Sequence, residues 1–244
     1  MEKKSAFFIS FMITLLVAGN YLFFYDFSSG REMVVVSRVL DGDTIELDDG
    51  RKIRLLNINT PEKGLAFSEE ARDFLKTFEN ESVELEIEGV GKYGRILGRI
   101  YSENDYLNLK LVELGLAHKY IVESEELSKF SEAEKLAREN ELGIWEKSEK
   151  YGCLNVEINK YDEYLIIEDG CEVDFENWNI KDESTKMYKF GKLTENKFKL
   201  FSEKGEDKVG EIYWGRKSIW NDDKDSIFIR DENGLLVYYD SYGY

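Results

Sequence analysis

Strand-like apolar runs separated by short turns dominate the chain from Met33 to Tyr101, and they constrain its fold more than any other feature. The runs are "MVVVSRVL", "TIELDDGRKIRLLNI", "SVELEIEGV" and "GKYGRILGRIY". Asp48-Asp49-Gly50 splits the second run, and such a turn between apolar stretches predicts a tight hairpin. Val83, Leu85 and Ile87 alternate with charged residues, as one buried face of a sheet requires. Between these strands lies "FSEEARDFLKTFEN", whose Phe67, Ala71, Phe74, Leu75 and Phe78 fall at helical spacing, with Ser68 expected as the cap. Two further helices are predicted at "YLNLKLVELGL" and "LSKFSEAEKLARENELGIW", with Ile144 and Trp145 folding back on the core.

The order is three strands, one helix, two strands and two helices, with short connections. That order predicts a small closed OB-fold β-barrel with three appended helices, spanning residues 32–150. From Cys153 onward the texture changes to seven short strand runs, from "LNVEINK" to "LLVYYDS", separated by Asp, Asn and Gly turns. This predicts a second, all-β domain over 151–244, an immunoglobulin-like sandwich. Trp178, Trp214 and Trp220 read as its packing residues, while Tyr238, Tyr239, Tyr242 and Tyr244 form a candidate exposed stripe.

Residues 1–31 stand apart. After Lys3 and Lys4 comes an uncharged run, Ala6 to Tyr25, about as long as one bilayer-spanning helix. The lysines orient it so that everything after Asp26 lies outside the cytoplasm. Two outcomes follow: a single-pass protein of the cell membrane, or a secreted one if the segment is cleaved as a signal sequence. The run extends through "YLFFY", beyond the small residues Ala18-Gly19, which favours the uncleaved anchor. Export permits a disulfide between Cys153 and Cys171, and two buried thiols are the alternative. No zinc pattern is present, because there is no second cysteine pair and His118 stands alone. A net charge of -17 rules out a globally basic nucleic-acid surface, so any phosphate contact must be local.

Three stretches carry chemistry. "DGDT", Asp41 to Thr44, reads by itself as a hairpin turn, and it is no EF-hand loop because Ile45 and Lys52 would occupy ligand positions. "RLLNINTPE" follows, holding Arg54 and the chain's only proline, Pro61. Proline cannot donate a ladder hydrogen bond and keeps Thr60 extended, so it ends the strand in a stiff loop that aims Glu62. Asp43, Asn59 and Thr60 offer oxygen donors suited to calcium or magnesium rather than zinc. In "GVGKYGR" the glycines lead into a strand rather than a helix, which excludes a dinucleotide site. What remains is a turn presenting Lys92, Tyr93 and Arg95.

Together, "DGDT", "RLLNINTPE", "KYGR" and the helical tail through "ELGIW" resemble the thermonuclease family, with its staphylococcal nuclease-like (SNase-like) fold. The resemblance covers Met33 to Trp145. It implies calcium-dependent hydrolysis of phosphodiester bonds in DNA and RNA, leaving 3′-phosphorylated ends. Carried over by position, it places the metal on Asp43, Asn59 and the Thr60 main-chain carbonyl, and the catalytic set on Glu62, Arg54 and Arg95. Lys92 and Tyr93 would contact substrate. The family usually has aspartate where Asn59 stands, which implies a less charged site and weaker metal affinity. An Asn59→Asp variant would then need less calcium. The C-terminal half, at 163–184 and 212–244, resembles the lamin-tail domain, implying an envelope or surface partner of unknown identity. A binding module without turnover is the alternative function, and the presence of Arg54, Glu62 and Arg95 together weighs against it.

Overall fold

The computed structural model describes residues 30–91, 94–103 and 105–243. The expected membrane segment, Lys92, Tyr93 and Tyr244 lie outside them. Among the described residues, no helix is long and apolar enough to cross a membrane.

The first half is a five-stranded barrel. β1 (Arg31–Asp41), β2 (Thr44–Leu47) and β3 (Lys52–Leu55) form a meander, and β5 (Ser82–Val90) and β6 (Ile96–Ser102) continue it. The sheet closes through a parallel pairing of β3 with β6, in which Arg54 faces Leu97. Gly50, at φ 85°, makes the hairpin turn that Asp48-Asp49-Gly50 predicts. Two short strands, β4 (Ile58–Asn59) and β8 (His118–Lys119), pair beside the barrel, and β7 (Asp105–Tyr106) adds to its edge.

The three expected helices are present: α1 (Ser68–Lys76), α2 (Leu107–Glu113) and α3 (Ser124–Glu139). Their apolar faces, including Ala71, Leu75, Leu111, Val112 and Phe130, share one core with Val36, Ile45, Ile53, Leu85 and Ile100 of the barrel. Ser68 does not cap α1. The cap is Phe67, left-handed at φ 65°, and the Ser68 hydroxyl instead donates to the Leu65 carbonyl at 2.6 Å.

The second half contains two four-stranded sheets around a common aromatic core that includes Trp178, Trp214 and Trp220. One sheet runs β14-β13-β10-β9, built from β9 (Leu154–Asn159), β10 (Tyr164–Asp169), β13 (Lys197–Phe201) and β14 (Glu211–Tyr213). The other runs β12-β11-β15-β16, from β11 (Asn179–Lys181), β12 (Met187–Lys189), β15 (Asp225–Arg230) and β16 (Leu236–Tyr242). Eight strands therefore stand where seven are expected; β11 is the addition, three residues that carry too short a pattern to read. Cys153 and Cys171 form a disulfide. Tyr238 and Tyr239 are half-buried against cores and make no exposed stripe.

Trp145 departs from expectation as well. It packs away from the barrel, in a third cluster with Ala137 and Ile144 from the first half and Phe228 and Leu236 from the second. Leu236 N–H donates to the Glu146 carbonyl and Ser148 N–H to the Leu236 carbonyl, both at 2.9 Å, so main chain joins the halves. Within the first half, the contact between the end of α2 and the segment leading to Trp145 needs glycine at two positions. Gly115 and Gly143 sit at positive φ, and a Cβ on either would lie within about 2.2 Å of main-chain oxygen across the contact.

Candidate active site

Asp43 sits in the turn between β1 and β2, where Asp41 pairs with Thr44. The turn lies tight against the loop after β4: a Cβ on Gly42 would be 2.7 Å from Thr60 Oγ1. Glycine is thus required here for close approach, and the approach brings two distant loops onto one carboxylate. Asp43 Oδ2 accepts from Thr60 N–H at 3.3 Å and from Thr60 Oγ1 at 3.2 Å, while Oδ1 accepts from Thr44 Oγ1 at 3.1 Å. Pro61 leaves Thr60 at the end of β4, so both Thr60 donors face the turn.

Arg54 closes the arrangement from β3. Its Nε is 3.0 Å from Asp43 Oδ1, its NH2 donates to Asn59 Oδ1 at 3.1 Å, and its NH1 donates to the Leu55 carbonyl at 2.5 Å. Asp43, Asn59 and Thr60 are all under a tenth exposed. Burial raises the Asp43 carboxyl to about 6, against the opposing pull of Arg54 and with some help from Asp41. The site is therefore a buried, largely ionised carboxylate at neutral pH, matched by one guanidinium.

Glu62 and Arg95 take no part in these hydrogen bonds. Glu62 is exposed, just beyond Pro61. Arg95 immediately precedes β6; the β3–β6 register sets Leu97 opposite Arg54, so Arg95 lies two residues along at the same strand phase. Of the sequence-predicted residues, the structure joins Asp43, Arg54, Asn59 and Thr60 by hydrogen bonds and leaves Glu62 and Arg95 outside that set.

The oxygen set suits a hard cation. Asp43 Oδ1 and Asn59 Oδ1 already converge on one positive group, the Arg54 guanidinium. Among the described residues no three His, Cys, Asp or Glu side chains converge, so a cation here would rest on one carboxylate plus neutral oxygens.

The second half reaches this site, which no sequence motif announces. Asn59 Nδ2 donates to the Glu183 carbonyl at 3.1 Å, across 124 residues. Lys181 Nζ lies 3.3 Å from His118 Nε2. His118 Nδ1 is 3.0 Å from the Lys119 carbonyl, which can only accept, so Nδ1 carries the proton and Nε2 receives the ammonium. Burial, and then Lys181, hold His118 neutral by depressing its pKa well below the usual value. Burial also lowers Lys181 to about 8, with Arg230 adding to the effect and Asp182, Glu62 and Glu183 opposing it. His118, Lys181 and Arg230 line an apolar cavity with Pro61, Leu65 and Phe228.

Comparisons with known proteins agree on the first half. The family model described as "Staphylococcal nuclease homologue" matches residues 52–147, which takes in Arg54, Asn59, Thr60, Glu62 and Arg95 and begins after Asp43. A micrococcal nuclease of Shigella flexneri is 36% identical over 125 residues, covering 45% of this chain and 71% of that protein. A thermonuclease of Staphylococcus intermedius is 33% identical over 130 residues, 48% of this chain and 77% of that protein. An uncharacterised endonuclease of Escherichia coli is 40% identical over 90 residues, 35% of this chain and 59% of that protein.

Proposed function

The chain belongs to the staphylococcal nuclease family, and from that premise we propose that it is a calcium-dependent nuclease that cuts DNA and RNA to 3′-phosphorylated products. The observation that carries this reading is the buried network in which Asp43, Asn59 and Thr60 converge with Arg54. Asp43, the Asn59 amide oxygen and the Thr60 carbonyl would hold the calcium, which when bound polarises a phosphoryl oxygen and lowers the cost of the developing charge. Arg54 and Arg95 would grip the phosphate and hold the extra negative charge of the five-coordinate transition state. Glu62 would take a proton from the attacking water as its oxygen bonds to phosphorus. The bond from phosphorus to the 5′ oxygen then breaks, and that oxygen takes a proton from solvent water to leave as a hydroxyl, while Glu62 returns its proton to solvent. Lys92 and Tyr93 would contact the substrate beside Arg95.

The uncharged run from Ala6 to Tyr25 supports export with an anchor in the cell membrane, or secretion if the run is cleaved. The Cys153–Cys171 disulfide suits an oxidising compartment. The two packed sheets of the second half are in keeping with a lamin-tail-like domain and a partner in the envelope. A second reading, a binding module without turnover, draws on one observation: Arg54 is spent on Asp43 and Asn59.

Digestion of single-stranded DNA by the full chain decides between them. Cleavage with calcium is expected, with loss in chelator and a fall of roughly 100-fold or more in Glu62→Gln. Equal residual cleavage in all three arms would leave only the binding reading.

A further inference from the structure

We propose that the C-terminal half is a working part of the nuclease site: the Glu183 carbonyl fixes the orientation of the Asn59 amide, and an amide rather than a carboxylate stands at position 59 for that reason. The proposal rests on the reading of the site given above. The Asn59 amide is read from both sides. Its Nδ2 donates to a main-chain carbonyl, which can only accept, and its Oδ1 accepts from the Arg54 guanidinium, which can only donate. Amide orientation is therefore set by its partners, with the oxygen turned toward Asp43 and Arg54.

A carboxylate satisfies one of these partners and not the other. It would meet Arg54 well, but its second oxygen would face the Glu183 carbonyl at about the present 3.1 Å, with no proton between two acceptors. The contact is dry: Asn59 is 3% exposed and Glu183 8%. The Glu183 segment is also held from behind. Ser226 Oγ donates to Glu183 Oε1 at 2.8 Å, and Asp225 Oδ1 lies 3.4 Å from the Glu183 N–H. These bonds hold the segment in place, so the Glu183 carbonyl cannot readily turn away from a carboxylate at position 59.

Two consequences are measurable in the full chain. In hydrogen exchange without calcium or nucleic acid, Asn59→Asp is expected to speed exchange of amides at 179–184 and 225–230 by roughly tenfold or more, because a buried acceptor loses its donor. Ser226→Ala loosens Glu183 from within the second half. It is expected to raise the calcium needed for half-maximal cleavage of single-stranded DNA, and to be less than additive with Asn59→Asp in exchange. Unchanged exchange in Asn59→Asp together with a lower calcium requirement would overturn the proposal, leaving Asn59 as a ligand of reduced charge. If Asn59→Asp does not fold, an unchanged calcium requirement in Ser226→Ala overturns it equally. If no form cleaves DNA but exchange rises as expected, the docking role stands and only the nuclease reading falls.

Discussion

Arg54 makes contacts in three directions at once, to Asp43, Asn59 and the Leu55 carbonyl. The planar fork holds these directions at once, whereas a lysine ammonium keeps the charge but clusters its donors on one atom. Arg54→Lys is therefore expected to lower the rate of DNA cleavage by about 100-fold or more, a loss larger than any fall in the folded fraction measured by circular dichroism on the same samples. A rate within a few-fold of the parent would remove Arg54 from the chemistry. Lys181 is costly for a different reason. Its pKa is about 8 when folded and near 10.5 when unfolded, so the folded state surrenders the proton more readily. The cost of burying the charge is fully present below pH 8 and fades as pH rises toward 10.5. Lys181→Met removes that cost together with the donor to buried His118 Nε2, so its stability relative to the parent is expected to be highest near pH 7 and to fall as pH rises. Its urea midpoint relative to the parent's should therefore be lower at pH 10; a gap independent of pH would mean that the charge is not the cause.

At the scale of elements, the β8–α3 contact places charge in the core. Lys119 Nζ is 2.5 Å from Glu134 Oε1, and Lys119 N–H donates to Glu134 Oε2 at 2.8 Å, with both side chains almost wholly buried. Glu134→Ala removes a charged partner from both the Lys119 ammonium and its main-chain N–H in a buried setting, and is expected to cost about 3 kcal/mol in denaturant unfolding. A cost below about 1 kcal/mol would show that water reaches Lys119. The elements themselves were legible where periodicity was long enough to be unambiguous, as in α1, α3 and β5. The pattern did not extend to β11, whose Asn-Ile-Lys has one apolar residue, or to the α1 cap, where Phe67 adopts a left-handed conformation that no residue-type preference signals. The site divides along the same line. Asp43, Arg54, Asn59 and Thr60 fall within one hairpin and its exit, so local turn chemistry and resemblance find them. Glu183 contributes a main-chain carbonyl, which every residue possesses, and its distance in sequence from Asn59 leaves no pattern to read.

Across the whole molecule, a net charge of -17 sets how substrate arrives. On the proposed reading phosphate contacts would be confined to a few arginines, so few counterions would be released on binding and cleavage should not slow steeply with salt. Rates at about 50 and 200 mM salt are expected to agree within a few-fold, whereas a steep fall would reveal a basic track. The junction between the halves makes a stricter claim. Phe228, 2% exposed, has its ring 5.1 Å from His118, 5.8 Å from Trp145 and 5.2 Å from Tyr239, and so touches both halves beside the site. Truncating such a ring costs about 3–5 kcal/mol, and here the cost falls on the contact that makes the halves unfold together. The parent is expected to show one calorimetric transition and Phe228→Ala two, because each half keeps its own core when the shared cluster is lost. Two transitions in the parent would mean that the shared cluster and the main-chain bonds at Glu146 and Ser148 are too weak to couple the halves, and Glu183 could not then hold Asn59 steadily enough to orient its amide.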